Sequence, residues 1–211
     1  AYDWFYNGFT DEQRETAKRV CFDKCLKSLA GIHYGEISSA SNGSKGWGSA
    51  KGGSNYNGMI NGGIVTAAIA TMECDSEYCI EAVNNSMRSM EYILQNLMPG
   101  GGWSEGVFYW DYGLKNVMSS IVSIKNAFGS DYGLSKSMGI KDTLNFASSA
   151  LGVDGANNFH DSSNTYSHSF PIFMTLSKIL GDTNAFKIRI ADLDGYDRVD
   201  KSDAFFYNFD A

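Results

Sequence analysis

Residues 58–73 read "GMINGGIVTAAIATME", and no charged residue appears in them before Glu73. A helix that is apolar nearly all round is buried on most sides. Gly62 and Gly63 lack side chains where another backbone would come close. The stretch therefore predicts a central buried helix with other helices wrapped around it.

Working outward, helix signals continue on both sides. Asp75 or Ser76 is placed to cap a helix running to about Leu97, with Ile80, Val83, Met87, Met90 and Leu94 repeating at spacings of three and four. Pro99 and the glycines after it end that helix. A third long helix is expected from about Tyr109 to Phe128, with Leu114, Val117, Met118, Ile121, Ile124 and Phe128 as its stripe. Upstream, Thr10 and Gln13 make a capping box. The helix it opens places Val20, Cys21, Cys25 and Leu29 near one face and ends at Gly31. Shorter helices are expected near 135–150 and 168–180, and another from Asp182. No strand period stands out, so the fold class is all-α. Long polar loops at 31–57, 98–108 and 152–167 would share one end if the helices alternate in direction, and such an end builds a cleft.

The 211 residues, 43% apolar, suffice for one domain with a real core or part of a larger one. No run of about 18 apolar residues spans a membrane. A net charge of −7 argues against a nucleic-acid partner. Cys21, Cys25, Cys74 and Cys79 have spacings unlike a zinc ribbon. They read as buried free thiols, with a Cys74–Cys79 disulfide as the alternative. No set of His and Asp shows ligand spacing, so neither a metal nor another cofactor is expected. No signal peptide is visible. The abrupt start "AYDWFY" and the aromatic end "AFFYNFDA" read as those of an excised piece.

The chemistry concentrates in residues 100–113, "GGGWSEGVFYWDYG". Aromatic rings beside amides and carboxylates suit carbohydrate. Sugar C–H faces stack on indoles and phenols, while the hydroxyls take paired donors and acceptors. Trp47, Tyr56, Trp103, Tyr109, Trp110 and Tyr112 are the candidate platform, and each also reads as a core aromatic. Glu105, Asp111 and Asp161 are the candidate carboxylates. His160 and His168 lie in the polar stretch "GVDGANNFHDSSNTYSHS".

In their order along the chain, "AYDWFY", Trp47, "NYNGMINGGIVTAAIA", "GGWSEGVFYWDYG" and "NNFHDS" resemble the heparinase II/III-like polysaccharide lyases over residues 1 to about 180. The resemblance implies that residues 1–190 are an incomplete α/α toroid, followed here by an acidic, irregular segment at 191–211. A C-terminal β-sandwich that follows in the family is absent from this sequence and would be a partner in the whole protein. It further implies β-elimination on a uronic-acid polysaccharide, which is the expected ligand, and an extracellular, cell-surface or periplasmic location. Such chemistry needs a donor that neutralises the sugar carboxylate, a base for the C5 proton and an acid for the departing glycosidic oxygen. By motif, Asn55 matches the neutralising residue and Tyr109, 54 residues later, the catalytic tyrosine. Tyr56 stands where characterised members often carry His. Trp47, Tyr56, Trp103, Glu105, Trp110 and His160 become the candidate substrate-binding residues.

Other readings stay open. Asn55 also reads as a helix cap, Tyr109 as a core aromatic, and Glu105 and His160 as hydrogen-bonded loop residues. An α/α-barrel glycoside hydrolase would use two carboxylates, with Glu105 and Asp111 nearest in sequence and Asp161 a third option. A non-catalytic carbohydrate-binding helical domain would keep the aromatic platform alone.

Overall fold

A computed structural model describes residues 5–34, 53–97, 100–152, 155–156, 159–162 and 170–181. Trp47, His168, the expected helix from Asp182 and the segment 191–211 lie outside the described residues.

The described residues form a multi-helix, all-α fold. Thr10 opens α1 (Asp11–Val20), and the capping box is present: Gln13 N donates to Thr10 Oγ1 (3.3 Å) and Thr10 N donates to Gln13 Oε1 (2.9 Å). The helical path does not end at Gly31. It passes through a π-helical turn, Cys21–Leu26, into α2 (Lys27–Tyr34). Gly31 is buried within that helical run and does not end it. The wider turn also rotates the inward face. Phe22, Leu26 and Ala30 point into the core, whereas Val20 is 51% exposed and Cys25 is exposed, against expectation.

The central helix α3 (Asn55–Ala70) starts three residues earlier than the apolar run suggests. It is followed by α4 (Ser76–Gln95), whose N-cap Asp75 accepts from Tyr78 N (3.0 Å), and by α5 (Val107–Phe128). The predicted α5 stripe from Leu114 to Ile124 is fully buried. On α4 the stripe is shifted: Ile80 is exposed, and Cys79, Ala82 and Ile93 join Val83, Met90 and Leu94 inside. A 3₁₀ turn at Leu134–Lys136 leads to α6 (Met138–Ser149), and α7 (Phe170–Leu180) comes last. Between α6 and α7, Leu151–Gly152 (β1) pairs antiparallel with Gly155–Ala156 (β2). Four residues are too few to show a period of two in sequence.

The helices form two layers. α3 contacts α5, and α5 contacts α7; on the other side α4 lies against α3 and α6. The α3–α5 contact is the most intimate, and its cause is a pair of glycines one turn apart. A side chain on Gly58 would strike the Gly113 carbonyl oxygen, and one on Gly62 would lie 2.6 Å from Asn116 Cβ. Because 58 meets 113 and 62 meets 116, the two helices run parallel. At Gly63, also expected at a close approach, an added Cβ would meet only Leu29 Cδ1, at 3.7 Å, an ordinary contact.

Polar groups inside are tied across the layers. Asn57 and Asn61 are both fully buried; Asn57 Nδ2 donates to Ser89 O (2.8 Å) and Asn61 Nδ2 to Ser89 Oγ (3.1 Å), which fixes α3 on α4. All four cysteines are free thiols. Only Cys79 is fully buried; its Sγ donates to Thr71 O (3.7 Å), and burial pushes the thiol above its ordinary pKa.

Candidate functional site

Asn55 is the first residue of α3 and is 4% exposed. It sits against α5 at a point where Gly113 has no side chain: a Cβ there would be 3.0 Å from Asn55 Cα. Across the helix ends, Asn55 Nδ2 donates to Glu105 Oε2 (3.1 Å). Asn55 Oδ1 is buried and has no hydrogen-bond partner among the described residues.

Glu105 is held by the turn that starts α5. Gly106 N donates to Trp103 O (3.2 Å), and Trp110 N donates to Gly106 O (3.0 Å) as the helix begins. Gly106 has φ +85°, a conformation that glycine adopts without a Cβ penalty. The missing side chain also makes room for Ser162, whose Oγ donates to the Glu105 carbonyl. That contact brings residues 159–162 onto the site. His160 Nδ1 lies 3.6 Å from Asp161 Oδ2, and atoms of Glu105, His160 and Asp161 capable of ligating all lie within 4.8 Å of one another. His160 has φ +54°, a left-handed conformation uncommon outside glycine.

Residues from all three long connections therefore meet: Asn55 from the first, Glu105 from the second, and His160 to Ser162 from the third. Tyr109 lies one helical turn before Gly113, on the face of α5 that Asn55 touches. Its ring is half-buried between Phe108 (centroids 5.2 Å) and Tyr112 (6.2 Å), both edge-to-face. Tyr56, next to Asn55, is 52% exposed. Asn55, Glu105 and His160 are thus gathered, with Tyr109 and Tyr56 beside them.

Two expected platform residues belong to the core. Trp110 is wholly buried, and its Nε1 donates to Thr143 Oγ1 (2.6 Å), which donates in turn to Gly101 O (2.8 Å). Trp103 is 4% exposed. Neither indole offers a face to a sugar. Trp110 lies within α5, one turn before Leu114 on its buried stripe, and Trp103 turns inward from the glycine-rich segment just before the helix. Asp111 is also buried, about 200° around α5 from Tyr109. Ser162 escaped the sequence reading altogether, because nothing local marks a hydroxyl that bonds a carbonyl 57 residues away.

Two adjoining grooves, of about 410 and 430 Å3, share Ser137 and Met138; Glu91, Gln95 and Tyr132 line the first, and Gly100, Lys136, Lys141 and Asp142 the second. Neither is lined by Asn55, Glu105 or Tyr109. The candidate site is taken at the polar cluster, where Asn55, Glu105 and residues 159–162 converge from three connections. No protein-family model matches this chain, and no curated protein matches it.

Proposed function

We propose that this chain is the helical part of a polysaccharide-acting protein and that it handles uronate sugars at Asn55 and Tyr109 by β-elimination. The observation that carries this reading is the Asn55 amide: it is buried, fixed at a helix start, and already donates to a carboxylate, that of Glu105. A uronate carboxylate presents the same chemical group. Donation to it draws charge from C5 and makes the C5 proton more acidic. As the C4–O bond breaks and the C4=C5 bond forms, the Tyr109 phenol, on the adjoining face of α5, would protonate the departing glycosidic oxygen, and the C5 proton would pass to a base that the full-length protein supplies. Among the described members of the expected platform, Tyr56 is the one whose ring is exposed. The layering supports the toroid as well: α3, α5 and α7 follow one another on one side, with α4 and α6 on the other, as in a ring of helical hairpins.

A thermal-shift titration with polyuronates and neutral glycans tests the binding. At a hundred times the dissociation constant, a ligand adds about 2.7 kcal/mol of stability, or roughly 5–10 °C in Tm for a chain of this size. Polyuronates are expected to give such a shift, and Asn55→Ala to remove it. Tyr109→Phe is expected to keep the binding shift and to abolish the ultraviolet-absorbing unsaturated product in the full-length protein. Normal product formation by that variant removes Tyr109 from the mechanism.

One observation favours a second reading, a retaining glycoside hydrolase. Carboxylate oxygens of Glu105 and Asp161 lie within 4.8 Å of each other, near the spacing of about 5 Å that retention uses. Shifts with neutral glycans alone, and reducing ends formed without ultraviolet absorbance, would decide for it.

A further inference from the structure

We propose that Glu105, His160 and Asp161 form a divalent-cation site suited to Mn2+. The three side chains come from two segments far apart in sequence, yet their ligating atoms all lie within 4.8 Å of one another. Octahedral cations of this size hold opposite ligands about 4.2 Å apart. Adjacent octahedral ligands lie closer, about 3 Å apart, so His160 and Asp161 must close by roughly 1–2 Å, which their side chains, 58% and 68% exposed, are free to do. The frame beneath them is fixed: the Ser162 hydroxyl bonds the Glu105 carbonyl, and Gly106 leaves room for that contact.

Asn55 supplies an independent sign of a ligand. It is 4% exposed, its amide reaches the cluster through Nδ2 on Glu105 Oε2, and its Oδ1 is buried with no partner among the described residues. A half-turn about χ2 exchanges the two ends of the amide. Beside a bare carboxylate that half-turn is repulsive. With a cation between them Oδ1 gains a partner and the cation a fourth protein ligand, while the Nδ2 hydrogens give up Glu105 as their acceptor. No Lys or Arg pairs with Glu105 or Asp161 among the described residues; the group nearest to serve either is His160, 3.6 Å from Asp161.

The donor set selects the ion. Carboxylate and amide oxygens suit Mg2+, Ca2+ and Mn2+, whereas imidazole suits transition ions. Mn2+ satisfies both. The inference does not depend on the lyase reading: a cation site holds for a hydrolase or a binding domain equally.

The test is titration of the full chain with MnCl2, following free Mn2+ by its EPR signal and Tm in parallel. One equivalent is expected to bind and to raise Tm. Glu105→Gln is expected to abolish binding, and His160→Ala and Asp161→Asn each to weaken it about ten-fold or more. The last two variants replace exposed side chains, so their metal-free Tm is expected to match that of the parent. An undiminished free Mn2+ signal with protein in excess would overturn the proposal. So would full Mn2+ binding by the His160→Ala/Asp161→Asn double variant.

Discussion

α3 and α5 meet twice, and the two meetings are built on opposite principles. Along their shared interior, Gly58 and Gly62 bring the backbones together without side chains, and the surroundings are apolar: Ile64, Val65, Val117 and Ile121. At their N-terminal ends the contact is polar and partly open, an amide on a carboxylate, with residues 159–162 strapped across by a serine. Close contact between small residues leaves no room to adjust. A polar contact beside exposed side chains can exchange its partner for a ligand. The comparison teaches where stability and function divide: the interior crossing fixes the angle of the helices, and the end carries groups that remain available for chemistry.

Trp110→Ala tests this division most severely. The indole is wholly buried and its N–H is used, so its loss leaves a large cavity and removes the donor to the Thr143 hydroxyl, which keeps its bond to Gly101 O. A loss of about 4 kcal/mol in urea unfolding is expected. A loss below about 1 kcal/mol would return Trp110 to the ligand platform that the sequence suggests.

Much of the interior was legible in the sequence, and the reason is local. The α5 stripe, the Thr10–Gln13 capping box and the Asp75 cap are patterns within a few residues, and all are present. Where local pattern failed, a tertiary effect intervened: a π-helical turn rotated the first helix, and the buried Gly31 does not end it. At the site, motif order pointed to Asn55, Tyr109, Glu105 and His160. Partners more than burial divided them from the indoles: Asn55 is as buried as Trp103 but bonds Glu105, and Trp110 lies one turn before Leu114 on the buried stripe of α5, a periodicity that extends the predicted stripe by one turn. The Glu105–His160–Asp161 cluster was illegible for a different reason. Its parts are 55 residues apart, so a search for ligands at short spacing misses them.

Gly58→Ala sharpens the interior side of the comparison. The added methyl would strike the Gly113 carbonyl oxygen, which is backbone and has no rotamer to yield. The helices must separate, at an expected cost of about 3 kcal/mol in urea unfolding. Gly63→Ala is the control: its methyl would meet only Leu29 Cδ1, at 3.7 Å, an ordinary contact, and alanine is the better helix former. It is expected to be neutral or stabilising by up to about 1 kcal/mol. Equal losses in the two variants would show that helix propensity, and not the crossing, governs this face.

Tyr56→Ala carries the smallest expected change in stability and the clearest reading at the open end. The side chain is 52% exposed, and a surface substitution of this kind shifts stability by about 0.5 kcal/mol or less. If the ring is a sugar platform, its removal weakens glycan binding by about 1 kcal/mol, close to five-fold, while leaving unfolding nearly unchanged. A change in binding without a change in folding is the signature of a group held out for a ligand. The converse result, a loss of stability with glycan binding intact, would assign Tyr56 to the fold and move the platform elsewhere on the rim. Tyr56 adjoins Asn55, the residue that joins the two meetings, so this variant measures how far the open end is independent of the closed crossing beneath it.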